Sequence, residues 1–379
     1  MGCINLVQHK LIRTRDYLMK IGLLTFHDTT NFGSLLQTYG LYYVVKQIGY
    51  DCEVIDYRCK KVDDVELPKK KPSSLNVKDV ISFILFNKNI KYKYLNLHSF
   101  LCERMKLSPQ YNHDNIHTAN ERYDIFLVGG DILWALDITG NDYTYFLDFV
   151  KNSAKKYAFG TSMNTDLTPE LKFAIQEYLS DFQRIAVRER EAAIEIRNIT
   201  ERGIDVVVDP TMLVEPQVWV KLAQKSTRFY EFQKQKYVLV YFQTDELLLD
   251  ACRYAKNNNL KVLDITYWKP KLGTKRMPVH DLYDFLALIY NAQYVFTGSY
   301  HGMLFSLYFE KQFRYYPRAH RYRMDGVAEM LDIPQSCSDM KSDKVIDYDR
   351  VTPKCEEQRK AALLRLKDYL RFAEHGLER

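Results

Sequence analysis

The residues best suited to chemistry fall in one stretch, 291–313, which reads NAQYVFTGSYHGMLFSLYFEKQF. Residues 294–297 are aromatic and β-branched, the signature of a short buried strand. Gly298 and Ser299 interrupt it, and Tyr300, His301 and Gly302 open onto an apolar run of helical type at 303–309. The first N–H groups of a helix have no partner within it, and the helix dipole puts partial positive charge there. An anion such as phosphate is therefore a natural guest beside Ser299 and His301, and Gly302 allows its close approach. The same residues also suit a plain capped helix whose histidine bonds locally, since a strand–turn–helix unit does not define a function. A second candidate is Arg188, which follows the strand 185–187. A guanidinium at a strand end can clamp a carboxylate or phosphate, or it can pair with Glu189 or Glu191 as surface charge. Gly129, Gly130 and Asp131, followed by Trp134, form another glycine turn at a strand end. Arg318, Arg321 and Arg323 lie in a basic loop after the strand 313–316.

The elements that position these residues alternate strand and helix. A strand over 20–26 is followed by the polar loop HDTTNFG at 27–33, a helix over 34–48 stopped by Gly49, and a strand over 52–57. Such a βαβ unit implies a parallel sheet with a right-handed crossover, and ligands then sit beyond the carboxyl ends of the strands. His27, Asp28, Asn31 and Gly33 would lie there. The loop is not GxGxxG, so the dinucleotide fingerprint is missing. Strands follow over 123–128, 156–159, 185–187 and 206–208, with Thr168 and Pro169 starting a helix. A second βα series begins at 237–242 and continues with strands over 261–265, 294–297 and 313–316. A terminal helix covers 356–374. The chain of 379 residues exceeds one typical core. The pattern predicts an α/β protein of two Rossmann-like domains, 19–210 and 211–379, presenting loops to a shared cleft. The last helix is expected to pack back across the domains. Residues 1–18 read as an extension, with Met19 an alternative start.

Composition narrows the classes further. Hydrophobic residues at 46% and charged residues at 27% suit a soluble globular protein, and a net charge of +6 gives no reason to expect nucleic acid. The seven cysteines are scattered, odd in number and without a CxxC pair, so neither a zinc site nor a disulfide framework is favoured. That usage points to a reducing cytoplasm. The chain has no run long enough to span a bilayer, no signal-peptide core at its start, and Leu6 where a myristoylation signal needs Ser or Thr. From 69 to 106 there are nine Lys or Arg against two acids, interleaved with aromatic and aliphatic residues. That insertion can lie on an anionic membrane surface. It also reads as a pair of amphipathic helices with a solvated basic face.

Taken in order, the motifs resemble those of the polysaccharide pyruvyl transferase family. The matching residues are Lys20-Ile21-Gly22, Thr25-Phe26-His27, Asn31-Phe32-Gly33, Leu36-Gln37 and Val54-Ile55-Asp56-Tyr57. They continue through Val128-Gly129, Asp131, Trp134, Val187-Arg188-Glu189, Asp209-Pro210-Thr211, Thr297 and Ser299-Tyr300-His301-Gly302. Phe305-Ser306, Lys311 and Arg323 complete the set. Two positions depart from the family pattern. Gly130 stands where Ser is common, with Ile132 in place of Gln, and Gly298 precedes the serine where Asn is common.

The resemblance implies a GT-B-like fold and transfer of pyruvate from phosphoenolpyruvate to two hydroxyls of a sugar, giving a cyclic ketal and free phosphate. Galactose bridged at its 4- and 6-hydroxyls, on a lipid-linked glycan of capsule or exopolysaccharide synthesis, is the acceptor expected. A cytoplasmic enzyme with peripheral membrane contact through 69–106 would suit it. In this chemistry an acid protonates the methylene carbon, a hydroxyl attacks the resulting cation, phosphate leaves, and a second hydroxyl closes the ring. His301 is expected as acid/base or phosphate ligand, with Arg188 and Arg323 on carboxylate and phosphate. Ser299, Tyr300 and Gly302 complete the donor side, with Arg318 and Arg321 as weaker anion ligands. His27, Asn31, Gln37, Asp131 and Trp134 are placed on the acceptor side. No cofactor and no metal are expected. The competing readings are a GT-B glycosyltransferase using a nucleotide-sugar and a non-catalytic glycan-binding relative; a Rossmann oxidoreductase is weakened by the missing glycine fingerprint.

Overall fold

The computed structural model describes residues 18–69, 71, 76–165, 167–266, 273–317, 322–334 and 345–377. The expected extension therefore lies outside the described residues except for Leu18, as do Arg318 and Arg321.

Strand β1 (Lys20–Leu24), helix α1 (Phe32–Ile48) and strand β2 (Asp51–Val54) form the predicted βαβ unit. The chain continues through α2 (Lys60–Glu66), α3 (Val77–Arg104), β3 (Ile125–Val128), α4 (Leu136–Thr139), β4 (Lys156–Thr161), α5 (Pro169–Asp181), β5 (Arg184–Val187), α6 (Arg190–Thr200) and β6 (Asp205–Val206). These strands make a six-stranded parallel sheet in the order β2-β1-β3-β4-β5-β6. Beyond it come α7 (Pro216–Ala223), α8 (Phe229–Gln233), β7 (Tyr237–Tyr241), α9 (Asp245–Asn257), β8 (Lys261–Ile265), β9 (Lys275–Arg276) and α10 (Leu282–Asn291). Last are β10 (Tyr294–Thr297), α11 (Tyr300–Tyr308), β11 (Phe313–Tyr315), α12 (Tyr322–Met330) and α13 (Tyr348–Leu377). The second sheet is also parallel, in the order β11-β10-β7-β8-β9.

Strands buried on both faces must be apolar throughout. IFLV of β3 and YVLVY of β7 meet that condition, and every residue of both is buried. Each sheet has a point where the strand order reverses, between β1 and β3 in the first and between β7 and β10 in the second. Crevices for ligands open at such points, beyond the carboxyl ends of the strands.

The two halves are packed together, not merely tethered. One apolar cluster runs from the first sheet into the second and includes Leu36, Tyr39, Trp219, Phe285 and Phe305. Phe32 stacks on Phe285 with centroids 4.6 Å apart, and Trp219 meets Tyr39 at 5.7 Å and Phe305 at 5.2 Å. The terminal helix returns to the first sheet. Its Tyr369 ring meets Phe159 edge-on at 5.8 Å, and its hydroxyl donates to Asp205 at 2.6 Å. The basic insertion folds as one 28-residue helix, α3, not as a pair. Leu97, Phe100 and Leu101 bury its C-terminal half, and Phe100 contacts both Tyr39 and Tyr283, so α3 straddles the two halves.

Candidate active site

The site is built where α1 and α11 begin. Strand β10 ends at Thr297, and Ser299 caps α11 by accepting a hydrogen bond from the Gly302 N–H at 3.3 Å. The cap places His301 in the first turn, pointing at the other half of the molecule. There α1 starts with Asn31 as its cap, accepting from the Gly33 N–H at 2.9 Å. The His301 imidazole packs against this turn: a Cβ on Gly33 would stand 2.1 Å from His301 Nδ1. Only glycine permits that approach. Two helix N-termini thus converge on one histidine, from opposite halves of the chain.

Arg188 lies at the centre of the junction, its side chain 1% exposed. It is not the surface charge that was one reading of its position. Its Nη1 donates to Asp209 Oδ2 at 2.8 Å, while Nη2 lies 3.6 Å from Asp131 Oδ1 and 3.5 Å from Glu189 Oε1. The Tyr300 ring sits 5.3 Å from its guanidinium, within cation–π range. Asp209 is held from several sides. It accepts from Gln37, from the Thr211 N–H at 2.9 Å and from the Thr211 hydroxyl at 2.6 Å. His301 Nε2 lies 3.8 Å from the same carboxylate, beyond hydrogen-bond distance. Asp131 accepts from the Ser34 hydroxyl at 2.7 Å. Arg323, on α12, brings Nε to 3.6 Å from Glu189 Oε1.

What distinguishes this cluster is what it leaves unbonded. The buried atoms without a hydrogen-bond partner include Arg188 Nε, Arg323 Nε and Nη2, His301 Nε2 and both carboxylate oxygens of Glu189. Buried polar atoms in that state are costly, and their concentration here makes the cluster the candidate site. Burial lowers the His301 pKa, with the positive charges of Arg188 and Arg323 acting in the same sense against Asp209 and Asp131. The ring is therefore held neutral. Burial alone would raise Asp131, but the Arg188 guanidinium, with the Ser34 hydroxyl and Arg323, outweighs it and keeps the carboxyl below its ordinary range.

The other predicted acceptor-side residues have different surroundings. Gln37 is fully buried and serves Asp209. Asn31 is a helix cap. His27 uses both ring nitrogens inside the first domain, with Asp56 Oδ1 at 3.0 Å and the Thr25 carbonyl at 3.3 Å. Trp134 is a core residue, 0% exposed. It donates to the Tyr145 carbonyl at 2.8 Å and packs on Phe146 and Phe182, so it has no face left for a sugar. Asp209, Thr211, Glu189 and Ser34 join the site without having been given a role in it. Asp209 carried a usable signal: an acid directly before Pro210, at the end of a strand.

Two facing Rossmann-like sheets with a ligand crevice between them define the GT-B fold. The UDP-GlcNAc 2-epimerase of Methanocaldococcus jannaschii, in complex with UDP-GlcNAc and UDP, is similar over 93% of this chain and all of its own, with 11% identity and a TM-score of 0.52. UDP-N-acetylglucosamine 2-epimerase from Rickettsia bellii is similar over 95% of this chain and 98% of its own, with 10% identity and a TM-score of 0.54. Among curated protein sequences none matches the chain. The family model "Polysaccharide pyruvyl transferase" matches residues 31–320. The chain belongs to that family and is an enzyme of it.

Proposed function

We propose that the protein transfers the pyruvyl group of phosphoenolpyruvate to two hydroxyls of a sugar, releasing phosphate. One observation carries the donor: Arg188 and Arg323 keep unpartnered N–H groups around a neutral His301, between two helix N-termini. Phosphoenolpyruvate is a small, highly charged anion that needs such donors for both its carboxylate and its phosphate. Arg188 and Arg323 bind those groups, Ser299 and the Gly302 end of α11 support the phosphate, and His301 acts on the reacting oxygen. The neutral ring favours a role as base or hydrogen-bond donor. The acceptor enters from the α1 side, past Asp131. A galactose ketal bridging O4 and O6 is the product favoured, on a lipid-linked glycan of capsule or exopolysaccharide synthesis.

Among the described residues no helix is long and apolar enough to cross a membrane. Exposed Tyr92 and Leu95 on α3 support contact with a membrane-borne acceptor instead. The test mixes the protein with phosphoenolpyruvate and a galactose-terminated lipid-linked acceptor, following product mass and free phosphate together. Product and phosphate in equal amounts are expected. Stabilisation by a nucleotide, with neither product nor a thermal shift with phosphoenolpyruvate, would replace this reading by a nucleotide-sugar transferase.

A further inference from the structure

Three carboxylates, those of Asp131, Glu189 and Asp209, face the guanidiniums of Arg188 and Arg323. They are not equivalent. Asp209 accepts from Gln37, Arg188 and twice from Thr211. Asp131 accepts from the Ser34 hydroxyl and from the Ile132 N–H. Glu189 accepts no hydrogen bond at either oxygen, although its side chain is only 5% exposed. Nor does it spend its carboxylate on capping. It occupies the N-cap position of α6, yet its side chain makes no cap bond. It points instead to the gap between Arg188 and Arg323, at 3.5 and 3.6 Å. A carboxylate gains most from staying ionised when donors are aimed at it. Glu189 has only the charges of Arg188 and Arg323, the same two cations an anionic donor needs, so of the three it is the one an incoming anion would leave without a partner.

We propose that Glu189 is the acid that protonates the methylene carbon of the donor, while His301 takes the proton of the first sugar hydroxyl; the proposal rests on the phosphoenolpyruvate reading above. Against two guanidiniums and a neutral imidazole, three carboxylates already leave an excess of negative charge. A multiply charged donor raises that excess, and like charge at short range raises the pKa of a buried carboxyl. The donor's carboxylate and phosphate also compete with Glu189 for Arg188 and Arg323, through Arg188 Nε and Arg323 Nε and Nη2, which make no hydrogen bond. The groups facing Glu189 are Arg188 beside it, Arg323 from α12 and Tyr300 from α11, with Asp131 and Asp209 across the Arg188 guanidinium. His301, held neutral by burial, is a poor acid but a usable base.

The step balances. Glu189 gives its proton to the methylene carbon, making it a methyl group, and the adjacent carbon becomes the cation. The first hydroxyl bonds to that carbon, and its proton goes to His301 Nε2. The carbon–oxygen bond to phosphate breaks with its electron pair on phosphate, which takes the proton from His301. The second hydroxyl closes the ring and returns its proton to Glu189. Both side chains end as they began.

The experiment uses the full chain and phosphoenolpyruvate alone, titrated calorimetrically in buffers of different ionisation enthalpy. Wild type takes up about one proton more per donor bound than Glu189→Gln does, and the variant binds at least as tightly. With an acceptor that wild type uses, Glu189→Gln loses about 10²–10⁴-fold in kcat while KM for the donor does not rise. Glu189→Asp keeps the proton uptake and part of the rate, and serves if Glu189→Gln does not fold. Donor binding with the same proton count in both proteins would overturn the assignment, as would Glu189→Gln turning over within a few-fold of wild type. Wild type that binds no phosphoenolpyruvate would overturn the donor reading itself, a distinguishable result.

Discussion

Two clusters in this molecule use the same residue types at the carboxyl ends of strands. At the junction, Arg188, His301, Asp131, Glu189 and Asp209 meet. In the first domain, beyond β1 and β2, His27 pairs with Asp56, while Asp28 accepts from Arg58, from the Tyr94 hydroxyl at 2.9 Å and from His98 at 2.9 Å. Burial would raise the Asp28 pKa, but the bonds from His98 and Arg58 outweigh it and lower it. This second cluster ties the loop after β1 to α3, and every member is engaged. The junction cluster keeps buried donors and acceptors without partners. Residue type and burial do not separate a structural network from a ligand site; the unmade hydrogen bonds do.

The largest effect is expected at Arg188. Arg188→Ala should abolish pyruvyl transfer, and it leaves Asp209 buried without its charge partner. Loss of one member of such a pair costs about 3–5 kcal/mol, to be read in a urea melt beside the activity assay. His301→Ala should lower kcat by about 10²–10⁴-fold with a smaller loss of stability than Arg188→Ala, because the buried ring packs but makes no hydrogen bond at Nε2. Full activity in that variant would remove His301 from the chemistry.

His301 also gives the stability a pH dependence. The folded His301 pKa lies below its unfolded value near 6.5. The unfolded chain therefore binds the proton first. Stability contributed by the neutral ring is present above about pH 6.5 and is lost as pH falls from there through the folded pKa. Unfolding midpoints measured between neutral and mildly acidic pH should fall less steeply for His301→Ala than for wild type.

A smaller effect is expected from Gly33→Ala, whose Cβ would collide with the imidazole at 2.1 Å. The ring must move, so activity should drop by about 10–100-fold, as misplacement of about 1 Å does, with donor binding largely kept. The smallest effect on catalysis belongs to the satisfied cluster. Asp28→Ala removes the shared acceptor of Arg58, Tyr94 and His98 and should cost about 3 kcal/mol of stability. Its kcat should stay within about twofold of wild type. A loss of turnover as large as that of His301→Ala would show that the two clusters act as one.

Much of the fold was legible because local periodicity and turn chemistry agree with the tertiary arrangement. The apolar runs of β3, β7 and β10 are strands, and Thr168 with Pro169 does start a helix. Gly49, in the left-handed region at φ 108°, ends α1 as read. The long helix α3 was read less well, because basic and apolar residues interleaved along one stretch do not say how many helices share it.

In the site, period and glycine placement mark where strands stop, and so already put His301 and Arg188 at strand ends. The sequence could not separate a working histidine from a structural one. His27 and His301 follow strands in much the same way, yet one has both nitrogens bonded and the other has Nε2 free of any hydrogen bond. Trp134 likewise reads as a cleft aromatic and is packed in the core. Those differences depend on contacts between residues far apart in the chain: Gly33 against His301, Gln37 on Asp209, Arg323 beside Glu189. Period along a chain reports which face of an element is buried. Only the packing of one half against the other decides which buried polar atoms find a partner and which are left for a ligand.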